Sequence, residues 1–451
     1  MRPYTVRYSD SAVLAEAGFG KVAHLPFILD GRPGYHRLGS EYLIDRGLGV
    51  WHPRVRQTNV PATPPTDITI QNYAHWLANF LEWAEKRSVD LPTCSYGDHV
   101  HGRYQPELIS GMWSRDGKGL AATTVNLYVQ QACDFLNWMS FKGKRDAFHV
   151  PVTTATAGAG SATSSRGHKG FEVEIREGKV RQPKRRLRMP TDAEVRDWLS
   201  RVHDSQGATK GLMCETVLLT ALRRTEVACF RTDTLPLDPA DWHVSNPTAE
   251  VADQLILLAV KFGTKGKSYG KDHGDKVGPV RHIGIPLHLA TRLHEYREKT
   301  RPRLLSTWVK AVRGAVAQKQ RRDEAVHLFL DEATGERITG SQLYEAWTAV
   351  ALPYKGWCPH LGRDWWACST LWREVKLHEH VLKLGKNAPG ALLAAVATDI
   401  IRLKIQPQLG HKRESTCFIY LQWISDMLGV ALPEQYQHYL DSFDEDESTA
   451  E

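Results

Sequence analysis

The chain has 451 residues, 42% of them hydrophobic and 24% charged, a composition that excludes wholesale disorder and a fibrous repeat and leaves room for two or three domains. Its 58 Lys+Arg against 51 Asp+Glu give +7, a mild excess compatible with a polyanionic partner. Seven cysteines without a CxxC pair exclude a zinc ribbon and a secreted disulfide framework as the organising principle.

The opening MRPYTVRYSDSAV lacks the apolar core of a signal peptide. No apolar run approaches the roughly 20 residues that cross a bilayer. The expectation is a cytoplasmic protein with no membrane partner. Residues 1–65 mix Gly, Pro and short apolar runs without a period, and read as an irregular or small-stranded N-terminal extension of unknown role. After PATPPTD, Tyr73, Trp76, Leu77, Phe80 and Leu81 recur at helical spacing. A second stripe runs Val125, Tyr128, Val129, Ala132, Leu136, Met139. These stripes predict a small helical domain over 66–152.

Residues 153–189 read as a flexible basic linker. TTATAGAGSATSSRGHKG is small and polar. GKVRQPKRRLR then supplies Lys179, Arg181, Lys184, Arg185, Arg186 and Arg188, a cluster suited to a phosphate backbone. A further domain spans 190–440. Thr191-Asp-Ala-Glu194 is a capping box, LMCETVLLTAL a buried helix, and LILLAVKF with VRHIGIP two strands of a long-tipped hairpin. The rest is mostly helical. The tail, 441–451, holds six acids among eleven residues and reads as disordered. The fold class is thus mainly α with a small β-sheet (α+β).

Two apparent motifs fail. GTKGKS at 263–268 lacks the first P-loop glycine, since Lys261 stands there, and a strand rather than a helix follows. LHEH at 377–380 lacks the HExxH spacing of a zinc site, so no metal and no cofactor is expected. What remains is a scattered set: Arg223 and Glu226 in TALRRTEV, with Arg223 at the end of the buried helix; Lys265 and Lys267 on the hairpin tip; His360 and Arg363 in PHLGRDWW; His411 in LGH; and Tyr420 nine residues later in STCFIYLQW.

In this order and spacing the set resembles the tyrosine recombinases, or phage-type integrases, whose motifs are TGLR-x-x-E, a hairpin lysine, H-x-x-R, LGH and a tyrosine nine residues on. The resemblance covers about 190–423, and more loosely 66–150 as a helical core-binding domain. It implies a site-specific DNA recombinase that works without metal or ATP. Arg223 and Arg363 would grip the scissile phosphate and Tyr420 would form a 3′-phosphotyrosyl intermediate. Lys265 would protonate the leaving 5′-oxygen, with Lys261 and Lys267 close enough in sequence to compete. His360 would assist proton transfer or hold the phosphate, His411 would donate to it, and Glu226 would orient its neighbours. The two domains would clamp double-stranded DNA as a tetramer on paired sites, with ISDMLGVALPEQY a candidate for exchange between protomers, other recombinases as further partners and a place at the nucleoid. Two alternatives stay open on the same scaffold: a catalytically silent DNA-binding subunit, and a topoisomerase-like or end-resolving enzyme.

Departures from the family pattern mark a divergent branch, for which a phage, a transposon or other mobile element, and chromosome maintenance all stay open as the setting. Gly362 stands where relatives usually carry Leu. Asp364 stands where they usually carry a second His, and is expected to pair with Arg363 and weaken its hold on phosphate. From Arg363 to His411 is 48 residues, about twice the family's usual gap, with the excess placed in VKLHEHVLKLGKNAPG.

Overall fold

The computed structural model describes residues 4–32, 34–53, 64–114, 116–157, 171–181, 186–378, 390–411 and 414–430. These residues are mainly helical with three small antiparallel sheets, and they group into two units, within 1–184 and 185–440.

In the first unit, β1 (Thr5–Tyr8) and β2 (Pro26–Leu29) pair in the register Thr5↔Leu29, with α1 (Ser11–Glu16) between them. Helix α2 (Arg37–Gly47) comes next. Helix α3 (Asp67–Lys86) begins where the Thr66 hydroxyl accepts the Thr69 amide at 3.4 Å, with Asp67 in the first turn complementing the helix dipole. Its buried face is Ile70, Ala74, Leu77, Ala78, Leu81 and Ala84, with Phe80 and Trp83 also buried. Tyr73 and Trp76 sit half-buried at the edge of that face, their rings 5.8 Å apart. After the short α4 (Gln105–Ser110), α5 (Ala122–Phe141) buries Val125, Val129, Ala132, Leu136 and Met139.

The small strands expected in the N-terminal extension are present, and its residues join this same core. Leu25, Ile28, Tyr42, Leu43 and Trp51 pack in one cluster with α3 and α5. The Trp138 indole donates to Asp45 at 2.9 Å and Gln131 to the Tyr42 hydroxyl at 2.7 Å.

The expected flexible linker also differs. β3 (Val152–Ala157) and β4 (Phe171–Arg176) form an antiparallel pair. The chain from Arg176 to Val180 is tied to the helices. Arg176 donates to the Tyr96 hydroxyl at 2.7 Å and to Gln105 at 3.1 Å, and Asn126 both donates to and accepts from the Val180 backbone at 2.9 Å. Buried polar groups satisfied this fully fix a chain segment. The tip of that hairpin (158–170), Lys184, Arg185, most of the expected insertion (379–389, including two residues of LHEH) and 431–451 lie outside the described residues.

In the second unit the expected capping box is present. The Glu194 amide donates to Thr191 at 3.2 Å and the Thr191 amide to the Glu194 carboxylate at 2.8 Å, opening α6 (Asp192–Gln206). Helix α7 (Ala208–Thr220) is almost wholly buried, and α8 (Arg224–Ala228) comes at once after it. A three-stranded sheet of order β5-β7-β6 comprises β5 (Leu255–Phe262), β6 (Lys271–Asp272) and β7 (Asp275–Pro286). β5 alternates exposed and buried, with Ile256, Leu258, Val260 and Phe262 inward, as a half-covered strand requires. GTKGKS therefore leads into strands rather than into a helix.

Helices α9 (Leu287–Glu295), α10 (Arg301–Lys310), α11 (Ala315–Glu324), α12 (Gly340–Thr348), α13 (Pro359–Leu377), α14 (Gly390–Ile400), α15 (Gln406–Leu409) and α16 (Phe418–Leu428) complete the unit. Trp198, Trp347 and Trp357 pack together in its core with tilted and edge-on rings, the first two with centroids 4.4 Å apart. This packing accounts for Gly362: a Cβ there would lie 2.6 Å from Cη2 of Trp347.

Candidate active site

Helix α7 ends at Ala221, a non-glycine residue with φ +54° that turns the chain sharply. Arg223 therefore does not end the buried helix as expected. It stands in extended conformation as the N-cap of α8. The Glu226 carboxylate accepts the Arg223 amide at 2.7 Å and its guanidinium at 3.0 Å. Arg281, on β7, completes the arrangement by donating to both Glu226 oxygens, at 3.2 and 2.6 Å. Glu226 is only 1% exposed. Burial alone would raise its pKa, but Arg281 and then Arg223 outweigh it and hold the carboxyl below its ordinary range.

A third guanidinium joins them. Arg363, one turn into α13 and 4% exposed, donates to the Leu409 carbonyl at 2.8 Å, and Arg223 donates to the same oxygen at 3.2 Å. Arg281 donates to the neighbouring Gln408 carbonyl. The turn carrying LGH is thus held from three sides. Its glycine is required twice over: Gly410 has φ +67°, and a Cβ on it would meet Cδ of Arg281 at 2.9 Å. Arg363 Nε has no hydrogen-bond partner among the described residues. Burial, then the charge of Arg223, lowers the Arg363 pKa to about 10.

His411 lies just past the turn, with Nδ1 3.2 Å from the Cys417 sulfur. Burial, then Arg363 and Arg223, pushes its pKa down to about 3, so its imidazole is neutral at pH 7 and offers a dipole rather than a charge. His360 is exposed on the first turn of α13, and its charge also acts on His411.

Tyr420, on α16, is 1% exposed and donates its hydroxyl to Asp364 Oδ1 at 2.8 Å. The expected effect of Asp364 was on Arg363; this bond engages the tyrosine. Burial, then the Asp364 charge and the bond it accepts, keep the phenol protonated well above its ordinary range.

Lys265 and Lys267 are exposed on the connection between β5 and β6. No hydrogen bond or ion pair joins either to the arginine cluster among the described residues. Lys276 ties that connection down by donating to the Gly266 carbonyl at 2.6 Å. Of the basic run, Arg181, Arg186 and Arg188 are exposed and Lys179 half-buried, with Arg188 lying over the Tyr354 ring at 5.4 Å. Arg281 and Gln408 are residues that sequence reasoning missed. No sequence signal marked Arg281, because the burial of Glu226 and the strand pairing that brings Arg281 to it are both properties of the fold.

Chemically, the cluster gathers three guanidiniums, two carboxylates, one neutral imidazole and a buried phenol. Its excess of positive charge suits an anion with several oxygens. No family model matches the chain, and no curated protein does. Among solved structures, it is similar to the Tn1549 transposon integrase in complex with transposon right end DNA (13% identity, TM-score 0.45, covering 87% of this chain and 98% of that one). It is also similar to XerA recombinase (12%, TM-score 0.28, 89% and 96%) and to XerH site-specific recombinase bound to palindromic difH substrate (16%, TM-score 0.35, 83% and 80%). At such identities and TM-scores the side chains of the cluster, not the likeness, carry a reading of function.

Proposed function

We propose that the chain is a site-specific DNA recombinase of the tyrosine recombinase type. It cuts and rejoins double-stranded DNA through a 3′-phosphotyrosyl intermediate, as a tetramer on paired sites. The observation that carries this reading is the crowding of the half-buried Arg223 and Arg281 with the buried Arg363 and Tyr420 in one cluster. Three guanidiniums this close outnumber the carboxylates beside them, which leaves positive charge for an anion to offset.

The geometry supports a clear division of labour. Arg223 and Arg363 each spend one N–H on Leu409 and keep others for the non-bridging oxygens of a phosphodiester, whose pentavalent transition state carries more charge than the ground state. Glu226 and Arg281 fix the Arg223 fork, which raises precision without touching DNA. His411, neutral, donates a hydrogen bond to the phosphate. His360 assists proton transfer. Tyr420 Oη attacks phosphorus, and Lys265, on the hairpin connection, protonates the departing 5′-oxygen. Because Tyr420 is buried, DNA binding must open its surroundings before attack. Lys179, Arg181, Arg186, Arg188 and Lys267, with Lys184 and Arg185, run along the phosphate backbone and make affinity steeply salt-dependent.

The test is covalent capture. Nicked duplexes with a randomised core are incubated with the full chain and scored for denaturant-stable protein–DNA adducts. The expected result is an adduct formed by the wild type and abolished by Tyr420→Phe. Binding without an adduct would favour the silent-subunit alternative, and relaxation of supercoiled DNA of any sequence would favour the topoisomerase-like one.

A further inference from the structure

Asp364 stands next to Arg363 on α13, and its Oδ1 accepts the Tyr420 hydroxyl from α16 at 2.8 Å. Asp364 is 4% exposed and Tyr420 1%. A buried phenol needs an acceptor, but a backbone carbonyl or an amide would satisfy it at far lower desolvation cost than a carboxylate. A carboxylate in that position adds one property the others lack: it can take the proton. The direction of the bond matters too. A hydroxyl that donates keeps its lone pairs free, so Tyr420 Oη can attack while its proton already points at the acceptor. The resting phenol is held protonated, so the proton must leave as the new bond forms and not before.

We propose that Asp364 is the catalytic residue that receives the Tyr420 proton during strand cleavage, an assignment that rests on the recombinase reading above. As Tyr420 Oη bonds to phosphorus, its proton passes to Asp364 Oδ1. The bond from phosphorus to the 5′-oxygen breaks, and that oxygen takes a proton from the general acid assigned to Lys265. In rejoining, a 5′-hydroxyl attacks phosphorus and returns a proton to that same lysine. Tyr420 leaves and recovers its proton from Asp364, so the enzyme ends as it began.

The experiment takes a duplex recovered from the nicked pool and compares full-length wild type with Asp364→Asn, which keeps the side chain's shape and an acceptor oxygen. Expected are unchanged DNA affinity, a cleavage rate lower by about 100-fold or more, and partial rescue when Tyr420 is replaced by a ring-fluorinated, more acidic tyrosine. If Asp364→Asn melts early, Asp364→Glu is the second variant and must cleave faster than Asp364→Asn. The assignment is overturned by a wild-type or faster rate in Asp364→Asn, by a loss that fluorination does not rescue, or by Asp364→Glu performing no better than Asp364→Asn. Absence of any adduct from the wild type overturns the recombinase reading itself, and the assignment with it. A Tyr420-dependent adduct that Asp364→Asn leaves untouched overturns the assignment alone.

Discussion

Two buried carboxylates in the second unit show how one chemistry serves opposite ends. Asp275, at the start of β7, is held by His327 at 2.6 Å, Arg337 at 2.9 Å and, more distantly, Arg231 at 3.8 Å. Arg231 also pairs with Asp272 at 2.7 Å, and its guanidinium lies 3.5 Å from the Phe262 ring centroid. Two acids there answer two arginines. Around Glu226, by contrast, Arg223 and Arg281 share one carboxylate, and the nearby Arg363 bonds to a backbone carbonyl. Unpartnered Nε atoms do not separate the two clusters, since Arg231, Arg337 and Arg363 all have one. Ion pairing does. Both arginines of the Asp275 network have a carboxylate partner, which suits an anchor at the turn between β6 and β7; in the Glu226 cluster Arg363 bonds to a backbone carbonyl, which leaves charge for an anion.

The largest expected effects test that contrast directly. Glu226→Ala strands its arginines in a buried site and is expected to lose about 3–5 kcal/mol in chemical denaturation. Tens of millimolar sulfate should return a good part of that loss by occupying the vacated charge. Asp275→Asn also destabilises, but sulfate should rescue it no more than it helps the wild type. Equal rescue of both variants would erase the distinction between anchor and site.

Acid separates the clusters next. His411 has a folded pKa near 3 against an ordinary 6.5, so below pH 6.5 the unfolded chain binds a proton that the folded chain refuses. Stability contributed by His411 is therefore fully present above pH 6.5 and falls as pH drops toward 3, by up to about 1.4 kcal/mol per pH unit. Asp275 behaves differently. Burial would raise its pKa, but its bond with His327 and that residue's charge outweigh this and hold it near 2 against an ordinary 3.8. Its contribution is present above pH 3.8 and is lost only between about 4 and 2. Denaturation midpoints from pH 8 to 3 should slope in the wild type and flatten between pH 6.5 and 4 in His411→Gln. An unchanged slope in that variant would remove His411 from the positively charged cluster.

These contrasts also explain what could be read in the sequence. Arg223, Arg363, His411 and Tyr420 stand in a telling order, and the capping box and both helical stripes are local patterns, so they are legible. Arg281 is not, because only the pairing Val260↔Arg281 between β5 and β7 brings a strand residue beneath α8. The bond from Tyr420 to Asp364 spans 56 positions, whereas sequence adjacency pointed only to Arg363. Small strands were legible near the start, but not that Leu25, Tyr42 and Trp51 join the core of α3 and α5, and Val152–Ala157 escaped because a Thr- and Ala-rich strand has the composition of a linker. In each case the missing information is a long-range contact, which spacing along the chain does not encode.

The smallest effect concerns a glycine that belongs to neither carboxylate cluster but supports one of them. Gly362 precedes Arg363, and the Trp347 ring fills the space where its side chain would lie, with Cη2 2.6 Å from an added Cβ. Trp347 is fully buried against Trp198, so neither ring has room to retreat, and α13 itself must shift. Gly362→Ala gains helix propensity worth somewhat under 1 kcal/mol and sets against it about 1–3 kcal/mol of overpacking. A net loss of roughly 1 kcal/mol is therefore expected, and Trp347→Phe in the same chain should relieve it by opening the ring's edge. The shift of α13 carries Arg363 and Asp364 with it, so adduct formation should fall further than stability does, while the Asp275 anchor is untouched. If Gly362→Ala instead left cleavage at the wild-type rate, the placement of Arg363 would not depend on this packing, and the tryptophan cluster would be core alone.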